Sequence, residues 1–311
     1  MHTPQIVIEQ PTEAALILVL TARPGREPEI RDFLADLDGI RRGVGFRIPA
    51  DRLSCVVGIG THLWDRLFTG PRPAQLREFT ALEGPRHRAP STEGDLVLHI
   101  RARAPGPCFE LGKTIVEALG SACAIVDETH GFRYFDERDL LGFVDGTENP
   151  EGPDAVQAAI IDGQDPAFAG GAYVVVQKYL HDLKAWEGLP ESEQERVIGR
   201  TKLADRELSD AAKPADSHIA LNDLEPHPDG TPRKIMRFNM PFGSLESASF
   251  GTYFVGYTAD LDVIDEMLRN MFLGKPHGNV DRILDFSTAT TGTVFFCPAT
   301  TFLQNLPPAP A

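Results

Sequence analysis

Apolar residues in the first 140 positions follow two periods, which predicts strands that alternate with helices. Apolar runs or alternating patterns of strand length occupy 14–21, 53–59, 95–103 and 122–126. Apolar residues at helical spacing occupy 29–37, 62–68 and 109–119. Some linkers between the predicted strands are short, so we expect antiparallel pairing.

The alternation begins again after a segment rich in Gly, Asp and Pro that covers 151–171. Strand patterns occupy 173–179, 235–242, 252–258 and 294–297. A polar helix is predicted at 191–203, and a strongly amphipathic one at 261–272. Residues 213–232 are rich in Pro, Asp and His without a sustained period, which predicts a long loop of the kind that is functional or disordered.

Two segments of the chain are alike. SCVVGIGTHLWDRLF at 54–68 and TYFVGYTADLDVIDEMLRNMF at 252–272 both combine a strand, a glycine in its second half, a threonine near the helix start and an apolar helical face. This likeness favours a duplicated α+β unit, with an N-terminal unit at 1–140 and a C-terminal unit at 141–311. The alternative is that strand-helix junctions repeat by chance in any α+β chain.

Composition and charge limit the class of protein. The 311 residues are 42% hydrophobic and 24% charged, as in a globular chain of one large domain or two ordinary ones. The formal net charge is -15. Because nucleic-acid-binding proteins neutralise phosphates with clustered Lys and Arg, nucleic acid is not expected as a partner.

The cysteines and the apolar runs bear on location. Cys55, Cys108, Cys123 and Cys297 show no paired metal-ligand or redox spacing, and scattered thiols are typical of a reducing compartment. No basic leader precedes the first apolar run, and no run reaches the length that spans a bilayer. The sequence therefore predicts a cytoplasmic protein without a membrane partner.

Three short segments contain candidate chemistry. Asp145 lies in LLGFVDGTENP at 140–150, where an Asp-Gly pair alone indicates no more than a tight turn. His218 is followed by apolar residues inside the predicted loop; it is either an ordinary solvated or core histidine or a ligand of a metal or cofactor. Arg237 and Asn239 lie two apart on a predicted strand and share a face, which is either wet or the wall of a pocket where an anion must partner the cation.

Together these segments resemble a known family. GFVDGTENP at 142–150, SHIALN at 217–222 and RFNMPFG at 237–243 are similar to motifs of the dye-decolorizing haem peroxidases of the bacterial B-type, as is DRILDFSTATTGTVFF at 281–296. The resemblance implies an α+β fold of two ferredoxin-like units, with antiparallel sheets flanked by helices. The C-terminal unit would carry the haem site.

The resemblance also implies roles for particular residues. The expected roles are axial ligand of the haem iron for His218, catalysis for Asp145, Arg237 and Asn239, and contact with the cofactor for His218, Gly146, Arg237 and Phe254. The glycines near Asp145 would let the backbone approach the macrocycle. The haem would be haem b, held non-covalently, because the chain has no C-x-x-C-H run.

The function that follows is oxidation of organic donors such as dyes and phenolic compounds by hydrogen peroxide, through a high-valent iron-oxo intermediate. Because an ordinary aspartate ionises near about pH 4, a carboxylate base favours turnover at mildly acidic pH. The alternatives are a haem-handling protein that stores haem or releases its iron, and an interaction domain without haem. A homo-oligomer is expected, whereas the short tail TTFLQNLPPAPA does not favour an encapsulating shell protein.

Further residues are assigned only as groups of candidates. The proximal histidine is expected to donate to a carboxylate, for which Asp281 is preferred over Asp285. Partners for the haem propionates are sought among Arg133, Arg282 and Lys234. Candidate electron relays are Tyr173, Tyr179, Trp186, Tyr253 and Tyr257.

Overall fold

The computed structural model describes residues 2–310, and in both halves of the chain strands alternate with helices. The strands found there are β1 (Ala14–Ala22), β2 (Ser54–Ile59), β3 (Leu82–Glu83), β4 (Arg88–Ala89), β5 (Leu96–Ala102), β6 (Cys123–Phe132), β7 (Ala172–His181), β8 (Met236–Arg237), β9 (Met240–Ser244), β10 (Ser249–Thr258), β11 (Ser287–Ala289) and β12 (Thr293–Cys297). The helices are α1 (Glu27–Gly45), α2 (Thr61–Leu67), α3 (Pro105–Leu119), α4 (Gly152–Ala159), α5 (Leu183–Glu187), α6 (Glu191–Ile198), α7 (His218–Asn222), α8 (Leu261–Phe272) and α9 (Thr300–Leu303).

Each half of the chain contributes four antiparallel strands in the same order. The order is β6-β1-β5-β2 in the first half and β12-β7-β10-β8 in the second. With helices in the crossovers, this order is that of a ferredoxin-like unit. The strand β12 meets β2 and so joins both halves into one sheet, while β9 and β11 pair with β10 and β7. The predicted fold of two ferredoxin-like units is therefore confirmed, and the boundary at residue 140 stays a prediction.

The internal likeness that suggested the duplication does not join equivalent elements. One of the two similar segments is β2 with α2, and the other is β10 with α8. However, β2 is the second strand of its unit and β10 is the third strand of the other, so the counterpart of β10 and α8 is β5 with α3. A buried strand followed by an amphipathic helix gives the same sequence pattern at either position.

Both faces of the central strands are buried, which explains their unbroken apolar runs. Along β1, Leu16 and Leu18 belong to a core that contains residues of α1, α3 and α8. Ile17 and Val19 belong to a second core, which they share with residues of β7 and β10. The alternation at 95–103 had predicted a strand with one apolar side; instead every residue of β5 is buried, His99 included. A strand covered on both faces needs no polar alternation.

Two segments of the second half differ from their predictions. The helix predicted at 191–203 is α6, which stops early because Gly199 takes a left-handed conformation (φ 96°) that ends helices. The loop predicted at 213–232 contains α7, so His218 begins a helix instead of lying in irregular chain. A helix of five residues is too short to show a period in the sequence.

The strand predicted at 235–242 is interrupted at Phe238 and Asn239. The pairs Arg237↔Gly256 and Met240↔Tyr253 nevertheless keep a single register of β8 and β9 along β10. In this register Asn239 stands opposite Phe254. The interruption lies where the side chain of Asn239 lines the cavity described below.

Two further expectations concern membranes and thiols. Among residues 2–310 we find no helix whose length and apolarity would let it cross a bilayer. All four cysteines are free thiols, three of them buried, as expected from their scattered positions.

Candidate functional site

One cavity collects the side chains to which the family resemblance assigns roles. It lies between the loop that carries Asp145, the helices α7 and α8, and the strands β7 and β10, and it encloses about 1210 Å³ of space including its opening to solvent. All six assigned residues line it, namely Asp145, Gly146, His218, Arg237, Asn239 and Phe254. The fold therefore brings together four segments that are separate in sequence.

The helix α7 fixes His218 in this cavity. The buried Ser217 caps the helix by accepting a hydrogen bond of 3.4 Å from a backbone N–H. Asn222 Nδ2 donates to the His218 carbonyl at 2.8 Å, and Asn270 Nδ2 of α8 donates to the Leu221 carbonyl at 3.0 Å. These contacts stabilise a helix that is too short to form by itself.

His218 is paired with a buried carboxylate. Its Nδ1 lies 2.7 Å from Oδ2 of Asp281, whose side chain is fully buried and whose Oδ1 accepts from the Ile283 N–H at 3.0 Å. Because a carboxylate only accepts, Nδ1 carries a proton, and in the neutral tautomer that this contact favours Nε2 keeps its lone pair. The preferred partner, Asp281, is thus confirmed, whereas Asp285 pairs with His87 at 2.9 Å.

A second histidine of the cavity, His181, has no free nitrogen. Its Nδ1 lies 2.8 Å from Ser287 Oγ, and its Nε2 lies 2.9 Å from Thr252 Oγ1. Burial lowers the pKa of His181 to about 4, so its ring is neutral. Of the two histidines that line the cavity, only His218 offers a lone pair to a ligand.

The loop that carries Asp145 is a tight turn closed by Asp139. The Asp139 carboxylate accepts from the Phe143 N–H at 3.0 Å, and its carbonyl accepts from the Gly142 N–H at 3.1 Å. Gly142 and Gly146 have φ values of 89° and 80°, which a side chain would strain. The backbone on either side of Asp145 therefore requires both glycines.

The polar side chains around Asp145 leave open hydrogen-bonding positions. Asn239 Nδ2 donates to Asp145 Oδ1 at 3.1 Å, and its own Oδ1 is buried without a partner among the described residues. The Arg237 guanidinium lines the cavity and makes no ion pair with a carboxylate in residues 2–310. The sequence left two interpretations of the strand that carries Arg237: a wet face, or the wall of a pocket in which an anion pairs with the cation. In the structure the Arg237 side chain lines the cavity and has no carboxylate partner in residues 2–310. A carboxylate, a cation and an amide oxygen are thus all available to a small ligand.

Two residues that support this group were not singled out from the sequence. Asn149 clamps the backbone of Arg237, since its Nδ2 donates to the Arg237 carbonyl at 2.8 Å and its Oδ1 accepts from the Arg237 N–H at 3.0 Å. Arg200, which is buried, lines the cavity and pairs with Glu148 at 2.6 Å. No sequence period marks either residue, although Asn149 and Glu148 belong to the GFVDGTENP segment.

The ring of Phe254 forms part of the cavity wall because Gly256 makes room for it. A Cβ atom at Gly256 would lie 2.5 Å from Cζ of Phe254 and 3.3 Å from Ile264 Cδ1. Both Phe254 and Ile264 line the cavity. The glycine two positions along β10 therefore sets the orientation of the aromatic wall.

Asp139 is a titratable group of the cavity that sequence analysis missed. Burial, and to a smaller extent the nearby Asp145 carboxylate, raise the pKa of Asp139 from 3.8 to about 7. The carboxyl group of Asp139 is therefore neutral in mildly acidic solution and gains a charge near pH 7. No motif points to it, because its pKa depends on burial that only the fold creates.

We expect Asp139→Asn to remove a pH dependence of stability. The raised pKa means that the folded protein binds more protons than the unfolded chain between about pH 4 and 7, so wild-type stability falls as pH rises through this window. As pH rises through this window, the free energy of unfolding of the variant should increase relative to wild type by on the order of 2 kcal/mol. This value is reduced because Asp139 is partly exposed. Thermal unfolding midpoints at pH 5 and pH 8 measure the change. Asp136→Asn, at an exposed site, is the matched control and should not alter the slope.

The remaining candidates are placed as follows. Arg133, Arg282 and Lys234 do not line the cavity; they pair with Glu137, Glu193 and Glu148. All five candidate relays are buried, namely Tyr173, Tyr179, Trp186, Tyr253 and Tyr257. Of these five, Tyr179 alone lines the cavity. None of these rings is exposed to a bulky donor at the surface.

The residues of the cavity fit haem. One imidazole has a free lone pair and a carboxylate behind it, as iron ligands of this kind require. Apolar side chains cover much of the wall, among them Ile264, Leu268, Met271 and Phe254. The buried Asn239 Oδ1 is a polar atom for which the described residues provide no partner.

Comparison with known proteins gives matches along the whole chain. Residues 4–133 match the family model described as Dyp-type peroxidase, N-terminal, and residues 136–302 match Dyp-type peroxidase, C-terminal. A dye-decolorizing peroxidase of Mycolicibacterium paratuberculosis is 56% identical over 99% of this chain and 87% of its own length. A deferrochelatase of Yersinia pestis is 27% identical over 76% of this chain and 62% of its own length.

Solved structures give the same result. The encapsulated DyP-type peroxidase from Mycobacterium smegmatis, solved by cryo-EM, has a TM-score of 0.97 with 55% identity and covers 100% of both chains. A DypB variant from Rhodococcus jostii RHA1 in complex with heme has a TM-score of 0.95 with 54% identity, covering 97% of this chain and 98% of its own.

Proposed function

The chain belongs to the dye-decolorizing peroxidase family, and we propose that His218 holds its haem while Asp145, Arg237 and Asn239 handle peroxide. The protein is a haem peroxidase that uses hydrogen peroxide to oxidise organic donors such as dyes. The observation that carries the residue assignment is the His218–Asp281 pair in the same cavity as an unpaired guanidinium and a carboxylate.

On the proximal side, the Asp281 carboxylate makes His218 a stronger ligand. A hydrogen bond of 2.7 Å to Nδ1 increases electron density on the imidazole and fixes the ring orientation. When bound, haem supplies the iron at which peroxide is cleaved and the oxidising power that the donor then removes. Phe254 and Gly146 would contact the cofactor from the wall and from the Asp145 turn.

On the peroxide side, three side chains divide the work. Asp145 as carboxylate takes a proton from one peroxide oxygen and delivers it to the other. Arg237, permanently charged and unpaired, stabilises the negative charge that develops as the O–O bond breaks. Asn239 holds Asp145 by its 3.1 Å hydrogen bond and offers Oδ1 as an acceptor for peroxide.

The haem-handling alternative has weaker support. The similarity to a deferrochelatase is 27% identity, against 56% for a dye-decolorizing peroxidase over nearly the whole chain. The third alternative, an interaction domain without haem, has no support from family membership or from the cavity.

Assembly and location belong to the same proposal. A homo-oligomer in the cytoplasm remains our expectation. One similar protein is an encapsulated peroxidase, which supports association with a shell protein despite the short tail. In this structure the Pro307 carbonyl accepts from Arg31 at 2.7 Å and the Pro308 carbonyl accepts from the Thr69 N–H at 2.9 Å, so this part of the tail is held against the first half of the chain.

Peroxide-driven dye oxidation tests the function. Protein from haem-supplied cells should be brown with a Soret band and should bleach an anthraquinone dye only when hydrogen peroxide is added. A parallel assay measures free iron and iron-free porphyrin after incubation with haem and a reductant. Release of iron with an intact porphyrin, and no dye oxidation, would instead favour the haem-handling alternative.

A further inference from the structure

A second cavity connects the peroxide side of the haem cavity with the protein surface. It encloses about 670 Å³ including its opening to solvent. It shares four lining residues with the haem cavity, namely Asp145, Gly146, Arg237 and Asn239. At its other end the lining includes the exposed residues Tyr134 and Glu137. A molecule bound at this opening would therefore lie at the outer end of a passage to the peroxide residues.

Tyr134 is the exposed tyrosine at this opening. The chain has five tyrosines, and the four considered above as relays are buried, whereas Tyr134 is 37% exposed. Its ring meets Phe135 edge-on at a centroid distance of 4.8 Å and lies 6.5 Å from Phe132. Phe135 is 74% exposed and Phe132 is 39% exposed. Three neighbouring rings thus face solvent on the segment 132–138, which we call the aromatic turn.

The backbone fixes the aromatic turn against the catalytic loop. Asp136 and Glu137 have φ values of 52° and 60°, a left-handed conformation that residues other than glycine keep only where their surroundings impose it. The Glu137 carbonyl accepts from the Asp145 N–H at 3.0 Å. The Arg138 guanidinium donates to the Gly142 carbonyl at 2.9 Å. The aromatic turn is therefore bonded directly to the loop that carries the proposed base.

The exposed area of the aromatic turn matches a small flat molecule rather than a protein. The three rings expose on the order of 300 Å², taking about 200 Å² for a whole aromatic side chain. A stable protein interface needs roughly 800 Å² on each partner, with few charges at its centre. Here two arginines and two carboxylates lie among the rings, namely Arg133, Asp136, Glu137 and Arg138. Because these charges cancel, the rings supply the main attraction for a ligand.

We propose that the aromatic turn docks bulky aromatic donors of the anthraquinone or phenolic class against Phe132, Tyr134 and Phe135. This inference rests on the peroxidase function proposed above, which requires a place where a large donor meets the protein. Exposed rings stack on a flat ring system whatever its substituents, as a reaction with varied dyes requires. None of the three rings is assigned to haem or to peroxide, so the docking site is separate from both.

Equilibrium binding without peroxide tests the docking site. Anthraquinone-2-sulfonate, a flat probe without an oxidisable amino or hydroxyl group, is titrated into the haem-loaded protein in a calorimeter. Phe135→Ser and Tyr134→Ser should each raise the dissociation constant roughly tenfold, because each removes one aromatic contact. Phe46→Ser is the matched control, since Phe46 is 73% exposed outside both cavities, and it should bind like wild type. A wild type that does not bind the probe, or equal dissociation constants in all four proteins, would overturn the proposal.

Steady-state oxidation of an aminoanthraquinone dye separates docking from catalysis. Phe135→Ser should raise KM more than it lowers kcat, because the lost contact holds the donor and takes no part in peroxide cleavage. An unchanged KM in this variant would contradict the docking site and leave the peroxidase function intact. Wild-type protein that binds the probe but oxidises no dye would support docking and contradict the peroxidase function. A smaller oligomer in Phe135→Ser, measured by analytical ultracentrifugation, would assign the rings to a contact between copies of the chain and overturn the proposal.

Discussion

His218→Ala protein purified from haem-supplied cells is expected to lack the Soret band. Two histidines line the cavity, and both nitrogens of His181 lie within hydrogen-bonding distance of hydroxyl groups. Nε2 of His218 is therefore the ring nitrogen proposed to bind iron. Loss of an axial ligand removes the bond that holds non-covalent haem, and the apolar wall alone binds the macrocycle weakly. Absorbance at the Soret maximum relative to 280 nm, with a pyridine haemochrome assay, measures the haem content.

The fold of the variant should survive, because the contacts that hold α7 do not use the imidazole. Ser217 caps the helix through its hydroxyl, and Asn270 binds the Leu221 carbonyl. The cost is the loss of the histidine partner of Asp281, whose fully buried carboxylate still accepts from the Ile283 N–H. Far-UV circular dichroism should therefore match wild type.

Two further variants make the test specific. His277→Ala, at an exposed position outside the cavity, is the matched control and should keep full haem content. Asp281→Asn should retain the ligand but weaken haem binding by about 10–100-fold. A His218→Ala protein that keeps a five-coordinate histidine spectrum would show that another residue binds the iron.

The sequence predicted elements well where a period was long and local. The helix α8 agrees in both bounds with 261–272, because its apolar face repeats over three turns and Asp260 caps its start through a 3.1 Å hydrogen bond. The strands β1, β2, β5 and β7 each agree within a few residues. Their apolar runs indicate burial on both faces of the sheet. Such burial requires apolar residues whatever the register of the strands.

Elements that depend on tertiary contacts could not be predicted in this way. The helix α7 is held from outside by Asn270 of α8, whose Nδ2 donates to the Leu221 carbonyl, and this contact leaves no local signal in the sequence. The likeness of β2 to β10 shows the opposite error: a local pattern was real but did not identify equivalent positions in the two units.

The same distinction between local sequence signals and tertiary contacts applies to the residues of the candidate site. His218, Asp145 and Arg237 were found because their flanking residues resemble family motifs, and the fold then placed all three in one cavity. The supporting residues Asn149, Arg200 and Asp139 act through distances and burial, which have no counterpart in sequence spacing. Side chains proposed to contact a ligand were therefore easier to find than those that position them.

Arg237→Leu should slow the reaction with hydrogen peroxide by about 10²–10³-fold without loss of haem. Leucine fills much of the space of the arginine stem but provides no charge to stabilise the departing oxygen. The backbone at this position should stay in place, because Asn149 binds its carbonyl and N–H at 2.8 and 3.0 Å. Stopped-flow measurement of the second-order rate constant with peroxide, in protein of equal haem content, tests the expectation.

The matched variants separate charge from proton transfer. Arg206→Leu removes an equal charge at an exposed position and should react like wild type. Asp145→Ala removes the proposed base and should lower the rate constant by about 10²–10⁴-fold. Because the role proposed for Arg237 depends on its permanent charge, the loss in Arg237→Leu should be nearly independent of pH. If Arg237→Leu and Asp145→Ala both react with peroxide at the wild-type rate, peroxide cleavage depends on other groups. The Arg237 guanidinium would then serve to bind a ligand other than peroxide.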